Sequence, residues 1–124
     1  MTAPRLILFL AAAEIGIVGL IYLFAPLLIL AANGMTLDSV NDYHATRAAY
    51  GGAFTGFGLL FLTGALNASL RRPALIALFT FMSGFALGRI YSLAVDGMPA
   101  PTFLIVLCTE ILLAGASLWA LQRE

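Results

Sequence analysis

Four apolar runs fill this chain and leave little between them: Leu6 to Ala32, Ala45 to Leu66, Pro73 to Val95 and Thr102 to Leu121. A helix rises 1.5 Å per residue, so about 20 residues are enough to cross roughly 30 Å of bilayer hydrocarbon. Every run reaches that length. Composition closes the alternative of a fold in water. Of 124 residues, 62% are hydrophobic and 10% are charged, with a mean hydropathy of +1.03. A soluble domain carries about a quarter of its residues as charges, so this chain cannot cover a water-facing surface. The expectation is an all-α polytopic membrane protein, a bundle of four transmembrane helices forming one domain over residues 1–124. Helical periodicity adds little, because helices that are apolar all round have weak moments.

The connections carry helix punctuation. Asn33-Gly34 suits the left-handed turn that ends a helix, and Pro26 offers a bend within the first run. Asp38 or Ser39 is placed to cap the second helix, which then starts outside the membrane and brings Tyr43, His44 and Arg47 inward. Arg71-Arg72-Pro73 reads as a tight turn with proline opening the third helix, and Asp96 to Pro101 as the last turn. Four spans put Arg5, Arg71, Arg72 and Arg123 on one side, and Asp38, Asp42, His44 and Asp96 on the other. The positive-inside rule then places both termini in the cytoplasm, with the chain in a bacterial inner membrane. Ala11-Ala12-Ala13 resembles a cleavage site, but Glu14 and a further long apolar run follow it, so the first helix is expected to stay uncleaved.

Several function classes drop out. The formal net charge is zero and there is no lysine, so no basic field exists for nucleic acid. Cys108 is the single cysteine, so it forms no disulfide within the chain. No His, Cys and acidic residues share metal-ligand spacing, and no cofactor motif is present. No paired nucleophile and base is visible either, which favours a non-enzymatic role.

The informative residues are the charges inside the spans. Glu14 lies about 12 Å in from the cytoplasmic end of the first helix, and Glu110 about 12 Å in from the outer end of the fourth. Arg89 lies near the outer face and Arg47 only a few Å in from it. A charge at a helix centre costs roughly 3 kcal/mol on insertion, so each needs a partner. A long arginine bridges about 6 Å of depth, which favours Arg89 with Glu110 and directs Arg47 toward Glu110 or the outer acids Asp42 and Asp96. Glu14 is the deepest and is expected to be protonated or reached by water, because desolvation raises a carboxyl pKa. Arg47, Tyr50, Arg89, Asp96 and Glu110, with Glu14 below them, make the candidate binding set of an outward-opening polar crevice. Two uses compete for it: fixing helix order and register, or binding a ligand. Small-residue ridges at Ala48, Gly52, Gly56 and at Gly84, Gly88, Ser92 are expected to let helices approach closely.

Two stretches carry a family resemblance. Tyr43-His44-Ala45-Thr46-Arg47-Ala48-Ala49-Tyr50-Gly51-Gly52 is the first; Gly88-Arg89-Ile90-Tyr91-Ser92-Leu93-Ala94-Val95-Asp96-Gly97-Met98-Pro99, with Glu110 in the next helix, is the second. Together they resemble the signatures of small bacterial four-helix membrane proteins known chiefly as a domain of unknown function. The resemblance implies four spans and brings no assigned activity. Where such proteins carry an acid near the start of the second helix, this chain has Tyr43-His44, with Asp42 just before. A narrower likeness, Ala13-Glu14-Ile15-Gly16, is similar to small multidrug-resistance transporters, and implies proton exchange through Glu14. The leading expectation is binding or passage of a small amphiphile or anionic headgroup, or assembly with a membrane partner or a second copy. Membrane lipid is the expected partner, and a proton-coupled transporter using Glu14 is the alternative.

Overall fold

A computed structural model describes all residues from Met1 to Glu124. It is built of helices without a strand: α1 (Ala3–Phe24), α2 (Pro26–Ala32), α3 (Val40–Thr46), a π-turn (Arg47–Gly52), α4 (Ala53–Leu66), α5 (Ala68–Val95) and α6 (Pro101–Leu121). Four helices are long and apolar enough to cross a membrane: α1, the continuous rod Val40–Leu66, α5 and α6.

The first apolar run is two helices rather than one. Pro26 has no N–H to continue the ladder, and it pushes the preceding residue out of the helical region. Ala25 accordingly sits at φ −136°, ψ 62°, and the chain restarts as α2 with Pro26 in its first turn. Gly34, at φ +74°, then closes α2. The N–H groups of Gly34 and Met35 donate to the carbonyls of Ala31 and Leu30 at 3.1 and 2.9 Å, a wrap that needs the left-handed conformation glycine adopts freely.

The second span starts at Val40, outside the expected membrane boundary. Ser39 caps it, and a reciprocal box forms in which the Asp42 N–H donates to Ser39 Oγ at 3.1 Å while Asp42 Oδ2 accepts from the Ser39 N–H at 2.9 Å. The third span also begins earlier than the proline suggested. Asn67 caps it through its side chain, which accepts from the Ser69 N–H at 3.0 Å. Arg71 and Arg72 therefore lie within α5, and Pro73 sits inside the helix, where it removes one backbone bond. The fourth span opens with Pro101 at its start.

The helices fall into two compact units. One comprises residues 1–8 and 63–124, the other residues 9–62. In the first, α5 buries Ala74, Leu75, Leu78, Met82 and Ala86, and α6 buries Leu107, Glu110, Ala114, Ser117 and Ala120. Spacings of three and four residues place each set on one helix face. In the second unit, α1 meets the Val40–Leu66 rod backbone to backbone. A Cβ at Gly58 would lie 2.7 Å from Gly16 Cα, one at Gly19 2.5 Å from the Thr55 nitrogen, and one at Gly51 2.9 Å from Leu23 Cα. These three contacts form an antiparallel seam that tolerates no side chain.

The expected ridges are elsewhere. A Cβ at Gly56, Gly84 or Gly88 would meet nothing within 4 Å, and one at Gly52 only its own helix. Counting glycine spacings found small residues but not the face they occupy, because several registers fit a glycine-rich span. Between 17% and 28% of the most apolar window of each span is buried. The remaining side chains, Leu112 and Leu10 among them, turn outward at 70% and 57% exposure, an apolar surface suited to lipid.

Candidate functional site

In the unit of residues 9–62, the site grows from a backbone defect. The break at Ala25 interrupts the hydrogen-bond ladder at the end of α1, where the last carbonyls already lack partners. Arg47 answers it: its Nη1 donates to the Leu23 carbonyl. A cation at a helix C-terminus is favoured both by this bond and by the negative end of the helix dipole. The guanidinium also lies 5.7 Å from the Tyr43 ring centre, one helical turn earlier. Directly after comes the π-turn Arg47–Gly52, whose Gly51 rests against Leu23. Such π-bulges are rare and occur often at functional sites.

The same residues line an open cleft of about 560 Å³, with Leu23, Val40, Tyr43, His44, Arg47, Ala48 and Gly52 around it. Leu23 and Val40 supply apolar wall; Arg47, His44 and Tyr43 supply polar groups. None of the unit's carboxylates pairs with Arg47. Asp42 is engaged by its capping box, Asp38 accepts from the Thr36 hydroxyl at 3.1 Å, and Glu14 is exposed on α1.

The unit of residues 1–8 and 63–124 handles its charges differently. Arg89 Nε points between the two oxygens of Glu110, 2.9 Å from each. The Glu110 side chain is 7% exposed and the Arg89 side chain 28%. The Arg89 guanidinium lies 5.5 Å from the Phe103 ring centre. One turn outward, Ser92 Oγ donates to Asp96 at 2.8 Å, so that carboxylate is engaged within its own helix end.

Among the six expected binding residues, then, Arg89 and Glu110 meet as an ion pair, and Arg47 lines the cleft. Tyr50 does not line it. Its ring packs 5.2 Å from that of Tyr22 and 5.7 Å from that of Phe54. Asp96 is exposed at the end of α5, and Glu14 is exposed midway along α1. Within its unit, Arg47 is held by a carbonyl rather than by Asp42, whose carboxylate the capping box already engages. Sequence reasoning missed Tyr43 and His44 as cleft walls and the Leu23 carbonyl as a partner. The spacing of Tyr43 and Arg47 was visible; the carbonyl was not, since nothing in a leucine signals an orphaned acceptor.

A model of one protein family, described as "Domain of unknown function (DUF4345)", matches residues 3–121. The chain belongs to that family. No curated protein and no solved structure matches it.

Proposed function

We propose that this member of a family without an assigned activity holds a small amphiphile with an anionic headgroup in the cleft beside the π-turn, without catalysing a reaction on it. The observation that carries this reading is Arg47: a guanidinium with no carboxylate partner in its unit, lining a cleft of about 560 Å³ whose other wall is apolar. A guanidinium offers several N–H donors in a fixed fork, and one carbonyl leaves most of them for a phosphate or carboxylate. His44 and Tyr43 add polar contacts, and Leu23 and Val40 accept the start of an acyl chain.

The setting proposed for this is a bacterial inner membrane crossed four times, with both termini cytoplasmic. Its support is the arginine distribution: Arg5, Arg71, Arg72 and Arg123 flank the spans at one side, against Asp38, Asp42 and Asp96 at the other. The cleft then opens near the outer leaflet.

The test is binding of decyl phosphate to the detergent-solubilised protein, with decyl trimethylammonium as the oppositely charged control. Decyl phosphate should bind and the cation should not. Arg47→Gln should weaken the anion by about ten-fold or more, the value of a charged hydrogen bond, while Tyr50→Phe leaves it unchanged. Equal binding of both amphiphiles, or an Arg47→Gln protein that binds as before, rejects the reading.

A further inference from the structure

Away from the cleft, the unit of residues 1–8 and 63–124 gathers four arginines where α5 begins and α6 finishes. Arg5 Nε donates to the Ala65 carbonyl at 3.1 Å, beside the Asn67 turn. Arg72 Nη1 reaches the Leu121 carbonyl at 3.3 Å, and Arg71 Nη1 stands 3.7 Å from Glu124. Arg123 lies over Trp119, 4.3 Å from the ring centre.

The donors at this end far exceed the acceptors. Each guanidinium carries five N–H groups, about twenty in all. The chain returns two carbonyls and one glutamate, the latter at ion-pair rather than hydrogen-bond distance. Arg71 Nε is shielded from solvent and has no acceptor. Arg72 and Arg123 are exposed, with their remaining donors free to meet an anion. The level of the patch indicates where that anion comes from. The arginines border the ends of apolar spans, and Trp119 beside them is of the type that settles at the headgroup layer.

We propose that this arginine collar binds the phosphate of an anionic phospholipid, seated between Arg71 and Arg72 of α5 and Arg123 beyond α6. The chemistry is that of a phosphate ester, supplied by lipid already in the leaflet, and it uses none of the residues that line the cleft. Guanidinium groups suit such a ligand because their planar forks match phosphate oxygens two at a time. Each arginine near an anionic surface contributes about a five-fold gain in affinity.

The experiment titrates the full chain in mild detergent with short-chain phosphatidylglycerol, short-chain phosphatidylcholine and inorganic phosphate, reading bound species by native mass spectrometry. It is done in the unsubstituted protein and again with Arg47→Gln, which removes the cleft from the comparison. Phosphatidylglycerol should be retained over phosphatidylcholine in both backgrounds. Arg72→Gln with Arg123→Gln, both at exposed positions, should lower phosphatidylglycerol affinity by about 25-fold. In the unsubstituted protein, added salt should weaken phosphatidylglycerol and spare phosphatidylcholine, which needs no variant to fold. Equal retention of the two lipids, loss of the preference with Arg47→Gln alone, or indifference to Arg72→Gln with Arg123→Gln overturns the proposal. Inorganic phosphate binding as tightly as the lipid overturns the assignment to a membrane source.

Discussion

Each of the two units sets an arginine and a glutamate inside its spans, Arg89 with Glu110 in one and Arg47 with Glu14 in the other, and the two pairs behave in opposite ways. Arg89 and Glu110 sit on neighbouring helices of their unit and close at 2.9 Å. Arg47 and Glu14 share the other unit and do not meet: the arginine is held by the Leu23 carbonyl, and the glutamate stays exposed on α1. Depth accounts for the difference. Arg47 is held at Leu23, nine residues and so about 13 Å along α1 from Glu14, beyond the roughly 6 Å an arginine side chain can bridge. A formal charge sum of zero therefore says nothing about pairing in lipid. What decides is which acceptor lies at the right level, and a proline-broken helix end supplied one.

The largest test of this contrast is a pair of double-mutant cycles. Removing Arg89 or Glu110 singly should destabilise by about 3–5 kcal/mol, because the partner is left uncompensated. Replacing both with neutral Gln should recover part of that, giving a strong coupling in unfolding titrations from micelles. The same cycle on Arg47 and Glu14 should be additive within about 0.5 kcal/mol. Coupling in the second cycle would break the comparison.

Next in size are the glycines that set helix approach. Gly19→Ala places a Cβ 2.5 Å from the Thr55 nitrogen, and Gly58→Ala one 2.7 Å from Gly16 Cα. Both contacts are to backbone, which cannot move aside without separating the helices. A loss of about 1–3 kcal/mol is expected from overpacking. Gly88→Ala meets nothing within 4 Å and should stabilise by up to about 1 kcal/mol through helix propensity. Equal effects at Gly19 and Gly88, read from the same titrations, would mean that the seam is not where the backbone places it.

A third test sharpens the role of the broken helix. Arg47→Gln should cost about 1.5–3 kcal/mol, the net value of a hydrogen bond from a charged group. Pro26→Ala lets α1 run on and return an N–H to the ladder. In that background the arginine has less to satisfy, so Arg47→Gln should cost measurably less. Strict additivity would separate the arginine from the break.

The sequence made some of this legible and concealed the rest for physical reasons. Span number and length follow from apolar runs against bilayer thickness. Ser39 was one of two named caps, and Arg89 with Glu110 followed from matching depths on separate helices. Hidden were the extension of α5 back to Ala68 and the outward turn of Gly84 and Gly88. A proline is tolerated inside a helix as well as at its start, so Pro73 marked the wrong boundary. Glycine spacing defines a stripe, while the face it takes depends on side chains across the seam. The π-turn was equally invisible, since its residues Arg47–Gly52 differ in hydrogen-bond register and not in composition from an ordinary helix.

The smallest effect is expected at Glu14, and it tests the contrast from its weaker side. The residue is exposed, midway along a span whose other outward neighbours, Leu10 and Ile17, are apolar at 57% and 58% exposure. A carboxyl at such a position costs roughly 3 kcal/mol to insert and returns no contact inside its unit. Glu14→Leu removes the insertion cost and costs no packing. Membrane insertion should improve, and the unfolding free energy in micelles should change by less than about 0.5 kcal/mol, as for surface substitutions generally. Glu14→Gln should behave alike, because neither charge nor hydrogen bonding is used within the unit. A loss of more than about 1 kcal/mol in Glu14→Leu that Glu14→Gln repairs would reveal a hydrogen-bond partner inside the same chain. In that event both units would satisfy their glutamates internally, and depth alone would no longer separate them.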